Sequence, residues 1–503
     1  MSAAPVAVVG AGPAGLAAAD VLARHNLPVL LVDEQPQPGG QIFRQPPAAF
    51  TGAEATYTAG YAWGRALVRT PEHPAIDFAG STTALGVLRD PDTASPADTD
   101  GPATSGTPAP RLRLALRGPD GVRSEPVSAL LIATGAYDMP VPMPGWTLPG
   151  VLMAGAAQAL AKSQRMVPPG PIVLCGAHPL LLVAAEQLLR AGAEITELVL
   201  ARGLPGPGEA IRALPAVPGH AAMLAELGAS LARLVRAGVR VSLGQAVTAA
   251  HGTDHVEAVE VTRLDSAGRP RGRSRTVPAT TLVLGYGFQP STELARQARA
   301  TMRWDRRGGG WTVQHDGDQR TTAAGVYAAG EPTGVTGAEQ ARAEGALAGL
   351  AVLADLTGRA DPAAWRDARH SLARARRFSA VVQRMFAPRE PLLAALATAE
   401  TVLCRCEEVT HGELAATLAA NPQMSTVSAV KLECRAGMGP CQGRYCEAAV
   451  TRMLRTARGA SAQEAGYTAA HLPIKPVALG ELAALASSEP PPAEPPAAPG
   501  AGS

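Results

Sequence analysis

The sequence lacks the features of nucleic-acid-binding and membrane-spanning proteins. Its 45 Lys and Arg residues nearly balance 43 Asp and Glu residues, the formal net charge is +2, and no block of basic residues occurs. Because a phosphate backbone requires a basic patch, nucleic acid is disfavoured as a partner. No uncharged apolar run is long enough to cross a bilayer, and no basic leader precedes the first apolar run at Val6. We predict a cytoplasmic protein with no transmembrane segment, for which peripheral attachment to a membrane stays open.

Cysteine is scarce, and the six that occur do not form the pattern of a disulfide framework. Cys175 stands alone at the end of an apolar stretch, as small core residues do. The other five lie between residues 404 and 446. Thiols clustered in this way suit a reducing compartment and favour metal ligation over disulfides.

Four of the clustered cysteines form two pairs, Cys404 with Cys406 and Cys441 with Cys446. The members are separated by one and by four residues, whereas structural zinc usually takes thiolates that are separated by two. A 2Fe-2S cluster fits better, since glycines let backbone N–H groups approach the sulfides and arginines offset the thiolate charge. The flanking residues of these two kinds are Gly437, Gly439, Gly443, Arg405, Arg435 and Arg444. Zinc and buried unreactive cysteines are the alternatives.

The first forty residues predict a βαβ unit that binds a dinucleotide. An apolar strand from Val6 leads into Gly10-x-Gly12-x-x-Gly15, and a second strand ends at Asp33. The glycines allow a tight turn, close approach of a pyrophosphate and close helix packing, while the helix N-terminus favours the anion. The predicted pyrophosphate and ribose contacts are Gly10, Gly12, Ala14, Gly15, Asp33 and, as the alternative ribose carboxylate, Glu34.

Several motifs make residues 1 to about 350 resemble the glutathione and thioredoxin reductase superfamily, flavoproteins with two dinucleotide-binding domains. Besides the glycine fingerprint, they are Asp33 to Gln41, Ala133-Thr134-Gly135, Leu284 to Gly287 and Gly330-Glu331. The resemblance implies an α/β fold that binds FAD, with Glu331 where the family commonly has Asp. That change shifts a hydrogen bond without abolishing it. The further cofactor contacts that it implies are Gly40, Gln41, Arg44, Thr134, Gly135, Gly330 and Glu331, with Gln41 and Arg44 near the isoalloxazine.

The second dinucleotide fold has a degenerate fingerprint. It reads Gly176-Ala-His178-Pro-Leu-Leu181, with histidine where a pyrophosphate would approach and leucine in place of the packing glycine. We therefore expect this domain not to bind a nicotinamide nucleotide, and His178 could plug the vacant groove. Arg202, after the next strand, could hold the 2′-phosphate of NADPH, and a surface arginine is the alternative interpretation. Since no Cys-x-x-Cys occurs in this domain, disulfide reduction is excluded.

The cysteine region resembles the bacterioferritin-associated-ferredoxin type of 2Fe-2S domain. The combination of this region with the flavoprotein part resembles the FAD-containing large subunit of heteromeric amino-acid dehydrogenases. The matching segments include Pro144 to Gly150 and Cys404 to Thr410. These dehydrogenases include opine oxidases, L-proline and D-hydroxyproline dehydrogenases, hydrogen cyanide synthase and, more distantly, sarcosine oxidase alpha subunits. The metal ligands that spacing and resemblance together indicate are Cys404, Cys406, Cys441 and Cys446. Cys434 lies close enough in sequence to compete for iron, although the family places no ligand there. Lys431 is interpreted as a solvated or cluster-screening charge.

The resemblance implies that this chain relays electrons, and it indicates no catalytic residue here. A partner subunit with a D-amino-acid-oxidase-like fold would carry another FAD and oxidise the amine. The electrons would pass to a small ferredoxin-like subunit, to a quinone or to the respiratory chain. The alternatives are an NAD(P)H-dependent reductase of a ferredoxin-like carrier and, outside catalysis, a redox sensor or assembly surface.

The same patterns divide the chain into domains. We predict a discontinuous FAD-binding domain, an inserted domain, a helical connector, a 2Fe-2S domain and a C-terminal segment. Their ranges are 1–160 with 281–360, 161–280, 361–400, 401–460 and 461–503, respectively. Residues 91–110 are predicted to be a mobile surface excursion, and the Pro/Ala-rich tail after residue 487 to be disordered. Within the 2Fe-2S domain, a capping box at Thr410 and Glu413 predicts one helix, and a second is predicted from near Cys441 through Met453.

Overall fold

A five-stranded parallel sheet forms the first dinucleotide-binding unit in the computed structural model, which describes residues 4–47, 50, 61–89, 112–203, 206, 208–209 and 219–487. Its strands in spatial order are β20 (Val326–Ala328), β7 (Ala129–Ile132), β1 (Val6–Val9), β2 (Val29–Val32) and β3 (Ile76–Ala79). Strands β1 and β2 are wholly buried, because both faces of the sheet are covered and each strand is a continuous apolar run. The predicted βαβ unit is confirmed by the parallel pairing of β1 with β2.

Different layers cover the two faces of this sheet. Helices α1 (Pro13–Arg24) and α7 (Ala338–Thr357) pack on one face. An antiparallel sheet packs on the other, built from β4 (Thr83–Arg89), β5 (Leu112–Gly118) and β6 (Gly121–Val127).

Small residues let α1 and α7 approach closely. A Cβ added at Gly345 of α7 would lie 2.0 Å from the carbonyl oxygen of Ala14 on α1, and one at Gly349 would lie 2.9 Å from that of Ala18. Neither position accepts a side chain without moving a helix backbone. The N-terminus of α1, where the glycine fingerprint ends, is therefore fixed by its partner helix.

A second five-stranded parallel sheet forms the inserted domain. Its strands in spatial order are β12 (Arg240–Leu243), β11 (Ile195–Leu200), β10 (Ile172–Gly176), β16 (Thr281–Gly285) and β9 (Val151–Met153). Three helices cover one face, namely α3 (Ala154–Ala159), α4 (Leu180–Arg190) and α5 (Ala221–Arg236). The antiparallel strands on the other face are β13 (Gln245–His251), β14 (Ala258–Leu264) and β15 (Pro270–Pro278).

Two strands of this second sheet lie outside the range 161–280 that the sequence predicts for the insertion. Strand β9 lies before it and β16 after it, and both pair within the second sheet. Because the chain enters and leaves the insertion through strands, hydrogen bonding assigns these two segments to the inserted domain rather than to the FAD-binding domain.

Short elements complete the first two domains. They are the strand pairs β8 (Ala136–Asp138) with β17 (Phe288–Pro290) and β18 (Met302–Asp305) with β19 (Gly310–Val313), and the helices α2 (Gly64–Leu67) and α6 (Glu293–Gln297). The β8–β17 pair lies where the chain crosses between the two domains.

The predicted helical connector contains α8 (Pro362–Phe386) and α9 (Glu390–Leu396). Asp361 caps α8 by accepting hydrogen bonds from the backbone N–H groups of Ala363 and Ala364. Helix α8 then packs along α7, and leucines of α9 join the core of the inserted domain. The connector thus contacts both larger domains before the cysteines begin.

The cysteine module has a core of its own. Its elements are β21 (Val402–Cys404), β22 (Val409–Thr410), α10 (His411–Ala420), α11 (Val427–Cys434), α12 (Glu447–Arg458) and α13 (Ala462–Ala465). The capping box at Thr410 and Glu413 is confirmed at the start of α10. The second predicted helix begins six residues later than Cys441, because Gln442 and Gly443 have φ of +51° and +84°, which α-helical backbone does not allow.

After the module the chain returns to the first domain and ends its described part in α14 (Leu479–Ser487). The predicted mobile excursion at residues 91–110 and the predicted disordered tail after residue 487 lie outside the described residues. None of the helices that the structure describes is both long and apolar enough to span a bilayer.

We expect the module to depend on one buried ion pair. Nη1 and Nη2 of Arg296 each lie 2.9 Å from the carboxylate of Glu447 at the start of α12. Glu447→Gln should lower the free energy of unfolding by about 3–5 kcal/mol, because it leaves Arg296 buried without its counter-charge. Urea denaturation would measure this.

Glu72→Gln, in an exposed pair with Arg69, is the matched control and should leave the unfolding midpoint unchanged. Equal midpoints for Glu447→Gln and the unaltered protein would contradict the expectation.

Candidate cofactor sites and their comparison with known proteins

A cavity of about 940 Å³ opens at the carboxyl ends of β1, β2 and β7. Parallel α/β sheets bind ligands at this edge. All the predicted cofactor contacts line the cavity except Gly15 and Gly330, which lie behind its wall and pack against Gly10 and Ala14. The sequence prediction therefore converges on one space in the fold.

The glycine fingerprint shapes one wall of this cavity. Gly10 has φ of +109°, and a Cβ there would lie 2.2 Å from the carbonyl oxygen of Ala133. A Cβ on Gly15 would lie 1.8 Å from the carbonyl oxygen of Gly10. At Gly12, by contrast, the nearest protein atom would be 3.9 Å away. Gly12 is thus the position where a side chain would fill ligand space rather than protein.

The two acids after β2 have different contacts. Asp33 accepts hydrogen bonds from the backbone N–H of Ala11 at 2.6 Å and of Gln35 at 2.8 Å, and its burial raises its pKa. Asp33 therefore fixes the glycine loop as well as facing the cavity. Glu34 is half-exposed and lies 3.0 Å from the ammonium of Lys475.

A second glycine pair supports the fingerprint. Gly40 has φ of +59° and approaches Gly12 so closely that a Cβ would lie 2.8 Å from its Cα. Beyond it, Arg44 donates a hydrogen bond of 2.8 Å to Gln41, and both line the cavity. Nε of Arg44 is buried and has no hydrogen-bond partner among the described residues. An unpaired buried guanidinium nitrogen at a cavity wall fits a site for an anionic cofactor.

The later motifs close the cavity from the other side. Thr134 donates a hydrogen bond to the carbonyl of Ser291 at 2.7 Å, which joins the two crossover segments. Glu331 begins a single 3-10 turn and accepts a hydrogen bond from Gly337 N–H at 3.3 Å. Desolvation raises the pKa of Glu331 to about 7. A carboxyl group in this state can accept or donate a hydrogen bond to a ligand hydroxyl.

The degenerate fingerprint of the inserted domain is closed by its own backbone. The N–H groups of Ala177 and His178 both donate to the carbonyl of Gly285, at 3.0 and 3.1 Å. Leu181 packs against Gly285, and the His178 ring lies edge-on to Phe288 in the cavity wall. Burial lowers the pKa of His178 to about 4, so the ring is neutral near pH 7. The donors that would bind a second pyrophosphate are already used.

Arg202, the predicted candidate for a 2′-phosphate, contacts protein instead. Its guanidinium donates to the carbonyl of Met385 and to the carboxylate of Glu209. The residue that the sequence offers for a 2′-phosphate therefore already has partners within the protein.

The four predicted ligands meet as two pairs that differ from those in the sequence. Cys446 contacts Cys404, and Cys406 contacts Cys441. The hydrogen bond from Cys446 lowers the pKa of Cys404 to about 5, with further donation from backbone N–H groups such as that of Gly437. Cys404 and Cys446 are buried, whereas Cys406 is exposed.

This arrangement fits an iron-sulfur cluster better than a single ion. No group of three or more His, Cys, Asp or Glu side chains surrounds one ion position in the described ranges. A 2Fe-2S cluster needs two thiolates on each of two irons, and two cysteine pairs provide that set. A Cβ on Gly439 would lie 2.2 Å from that of Cys406, so the backbone approaches the thiols as expected. The thiol of Cys434 donates to the carbonyl of Val430 at 3.2 Å, and Cys434 packs against the core that contains Cys404 and Cys446.

The cysteine loop packs directly on the cavity. Arg444 lies over the ring of Tyr137, 4.7 Å from its centroid, and donates to Glu293 at 2.9 Å. Tyr445, next to Cys446, lines the same cavity as the glycine fingerprint. Sequence reasoning placed Arg444 only as a charge beside the thiolates and missed Tyr137, Glu293 and Tyr445, since no local pattern marks them.

A second contact lies at the strand that carries Cys404. The indole N–H of Trp146 donates to the carbonyl of Val402 at 2.7 Å, and Arg405 lies over the indole ring. The segment Pro144 to Gly150 that supported the family resemblance therefore contacts the strand that carries Cys404.

Gly12→Ala tests the cavity as the FAD site. The backbone of Gly12 has φ of −82°, which alanine adopts freely, so the apoprotein should keep its unfolding midpoint. FAD affinity, measured by fluorescence titration of the deflavinated protein, should fall by about tenfold or more because the methyl group blocks the pyrophosphate. Gly228→Ala, on α5 with open space around it, is the control and should bind FAD normally. Unchanged affinity of Gly12→Ala would contradict the assignment.

Cysteine variants test the ligand set. Cys446→Ser should lose most of its iron and acid-labile sulfide per chain, since it removes a buried ligand. Cys434→Ser should keep both, because that thiol already contacts a helix carbonyl. A full cluster in Cys446→Ser, or an empty site in Cys434→Ser, would require another ligand set.

Comparisons with known proteins agree with this geometry. Residues 4–345 match the family model of pyridine nucleotide-disulphide oxidoreductases, and residues 402–456 match the BFD-like 2Fe-2S binding domain. The cofactors of the chain are accordingly FAD and a 2Fe-2S cluster.

Full-length relatives carry both parts. An opine oxidase subunit of Agrobacterium tumefaciens is 35% identical over 95% of this chain and 91% of its own length. Hydrogen cyanide synthase subunit HcnB of Pseudomonas aeruginosa is 32% identical over 93% and 96%. The crystal structure of L-proline dehydrogenase from P. horikoshii covers 96% of this chain and 79% of its own, with a TM-score of 0.65 at 19% identity, and so shares the fold. The chain therefore belongs to the pyridine nucleotide-disulphide oxidoreductase family of flavin-dependent oxidoreductases, and it is grouped there with the opine oxidase and hydrogen cyanide synthase subunits that match it from the flavoprotein part through the BFD-like 2Fe-2S domain.

Proposed function

We propose that this chain is the FAD- and 2Fe-2S-containing subunit of a heteromeric dehydrogenase that oxidises an amino or imino acid of the opine, proline or hydroxyproline type. Its role is to pass electrons from amine oxidation to a one-electron carrier or the respiratory chain. The amine itself is oxidised on a partner subunit with a D-amino-acid-oxidase-like fold. Support comes from the relatives named as subunits of opine oxidase and hydrogen cyanide synthase.

One observation carries the proposal: the cavity proposed for FAD and the loop of the proposed cluster ligands share a wall. Tyr445 lines the cavity and is bonded to Cys446, while Arg444 packs on Tyr137. Flavin accepts two electrons as hydride, whereas a 2Fe-2S cluster transfers one at a time. Oxidation of one amine to an imine releases a hydride, which carries two electrons, and a proton, so two one-electron carriers are reduced per turnover.

The residues of this chain would hold and orient the two cofactors, and they would not react with the substrate. Asp33 or Glu34 would hold the ribose, the glycine loop the pyrophosphate, and Glu331 the ribityl and phosphate part. Cys404, Cys406, Cys441 and Cys446 would bind iron. Gln41 and Arg44, with the unpaired Nε of the latter, would lie beside the isoalloxazine.

The alternative, an NAD(P)H-dependent reductase, needs a second nucleotide site. The closed fingerprint at His178 and Gly285 and the protein contacts of Arg202 count against it. The proposal therefore expects electrons to come from a partner and not from a nicotinamide.

Anaerobic titration of the holoprotein, with FAD and iron content measured, tests this directly. NADH and NADPH should leave the flavin absorbance band of the isolated chain unchanged. Rapid bleaching by either nucleotide would overturn the proposal.

The positive arm uses the complex with the partner subunit. Octopine, nopaline, L-proline and D-hydroxyproline are the donors, and a one-electron dye is the acceptor. At least one donor should reduce the dye with two equivalents per amine. The complex with Cys446→Ser is the control and should lose dye reduction while binding the partner normally.

A further inference from the structure

The chain forms a strap over the first domain after the cysteine module. This strap, residues 467–487, is anchored along its length. Ile474 is buried and donates its N–H to the carbonyl of Leu85 at 2.9 Å. Glu481 pairs with Arg117 of β5 at 2.9 Å, and Leu485 is buried against the same antiparallel sheet. The strap thus runs beside the strands that border the cavity.

Two strap residues, Ile474 and Lys475, line the cavity itself. The ammonium of Lys475 lies 3.0 Å from the carboxylate of Glu34 and 3.1 Å from the hydroxyl of Tyr137. Its side chain is only 20% exposed. Sequence reasoning assigned no role to this segment.

Lys475 can contact a ligand besides keeping its ion pair with Glu34. Glu34 is half-exposed, so its attraction for the ammonium is screened by water, while Lys475 is mostly desolvated. An ammonium has three donors, and the described contacts use two. The third is available to a molecule in the cavity.

Lysine usage supports the same interpretation. Of the 45 basic residues, only Lys162, Lys431 and Lys475 are lysines, and the rest are arginines. Two of these three line the cavity. A compact ammonium that rotates its donors fits beside a ligand where a planar guanidinium would need more room.

We propose that Lys475 binds the adenosine half of FAD and that the strap closes that end of the cavity. The inference rests on the proposed assignment of Asp33 or Glu34 to the ribose, since Lys475 lies beside Glu34. The same strap is joined to the cysteine module, because Thr468 donates to Glu447 and Gln442 donates to the carbonyl of Pro473.

The scarcity of lysine permits a direct test on the unaltered protein. The deflavinated chain is acylated with acetic anhydride alone, with FAD, with ADP and with FMN, and each lysine is quantified by mass spectrometry. FAD and ADP should each slow acylation of Lys475 severalfold, and FMN should not. Lys431, on α11 away from the cavity, is the internal control and should react equally in every case.

Equal acylation of Lys475 with and without FAD would overturn the proposal. Protection by FMN would also overturn it, since Lys475 would then lie at the isoalloxazine end. Both outcomes are read on the unaltered chain and so do not depend on a variant that folds.

A variant gives a second measurement. Lys475→Met keeps the apolar stem and removes the charge, and it should weaken FAD binding by about tenfold through loss of a charge-assisted hydrogen bond. Lys475→Arg should recover part of the affinity, and Lys431→Met should bind FAD normally. Full affinity in Lys475→Met would contradict the inference. Bleaching of the flavin band by NADPH would overturn the proposed function and leave these lysine results unaffected. Failure of the proposed function and failure of the Lys475 inference can therefore be distinguished.

Discussion

The arrangement of this protein depends on a charged contact that is buried between the cysteine module and the crossover of the flavoprotein part. Arg296 of α6 holds Glu447 at the start of α12, and Glu293 of the same short helix holds Arg444 in the cysteine loop. Each arginine is paired with an acid from the other unit, so removing either partner would leave a mostly buried charge uncompensated at the interface. The cysteine loop is therefore held against the cavity in one position.

The two dinucleotide folds share one architecture but differ at the loop that follows the first strand of each. In the first, the backbone N–H of Ala11 donates to Asp33, and the small residue at Gly12 leaves room for a ligand. In the second, the corresponding N–H groups of Ala177 and His178 donate to a strand carbonyl. The inserted domain thus keeps the fold without the open space that Gly12 leaves in the first, and leucines of the connector pack into its core.

Much of the fold was predictable because it follows from local sequence patterns such as apolar runs and glycine spacing. Buried parallel strands are continuous apolar runs, and the glycines at 10 and 15 have no room for a Cβ. The start of α12 was predicted too early, since the left-handed backbone at Gln442 leaves no mark in the sequence. The boundary of the insertion was missed for a related reason, because strand pairing joins segments that are distant along the chain.

The sequence predicted the two centres of the site but not the residues that join them. The glycine and cysteine motifs identified its two centres, whereas the residues that join them come from separate elements. Tyr137, Glu293 and Lys475 belong to a short strand, a short helix and the strap, and only their packing brings them together. Single residues without a repeated spacing carry no signal of this kind, although the rarity of lysine was visible in the composition.

The close contact between α1 and α7 means that the anion-binding end of α1 is positioned from a distance. Because Gly345 lies against the carbonyl of Ala14, any larger residue at position 345 must displace α1 relative to α7. Such a shift would carry the start of α1, next to Gly12, with it. Homologues that differ at residue 345 would then be expected to differ in flavin affinity with every cofactor-contacting side chain unchanged, and a comparison limited to those contacts would overlook the cause.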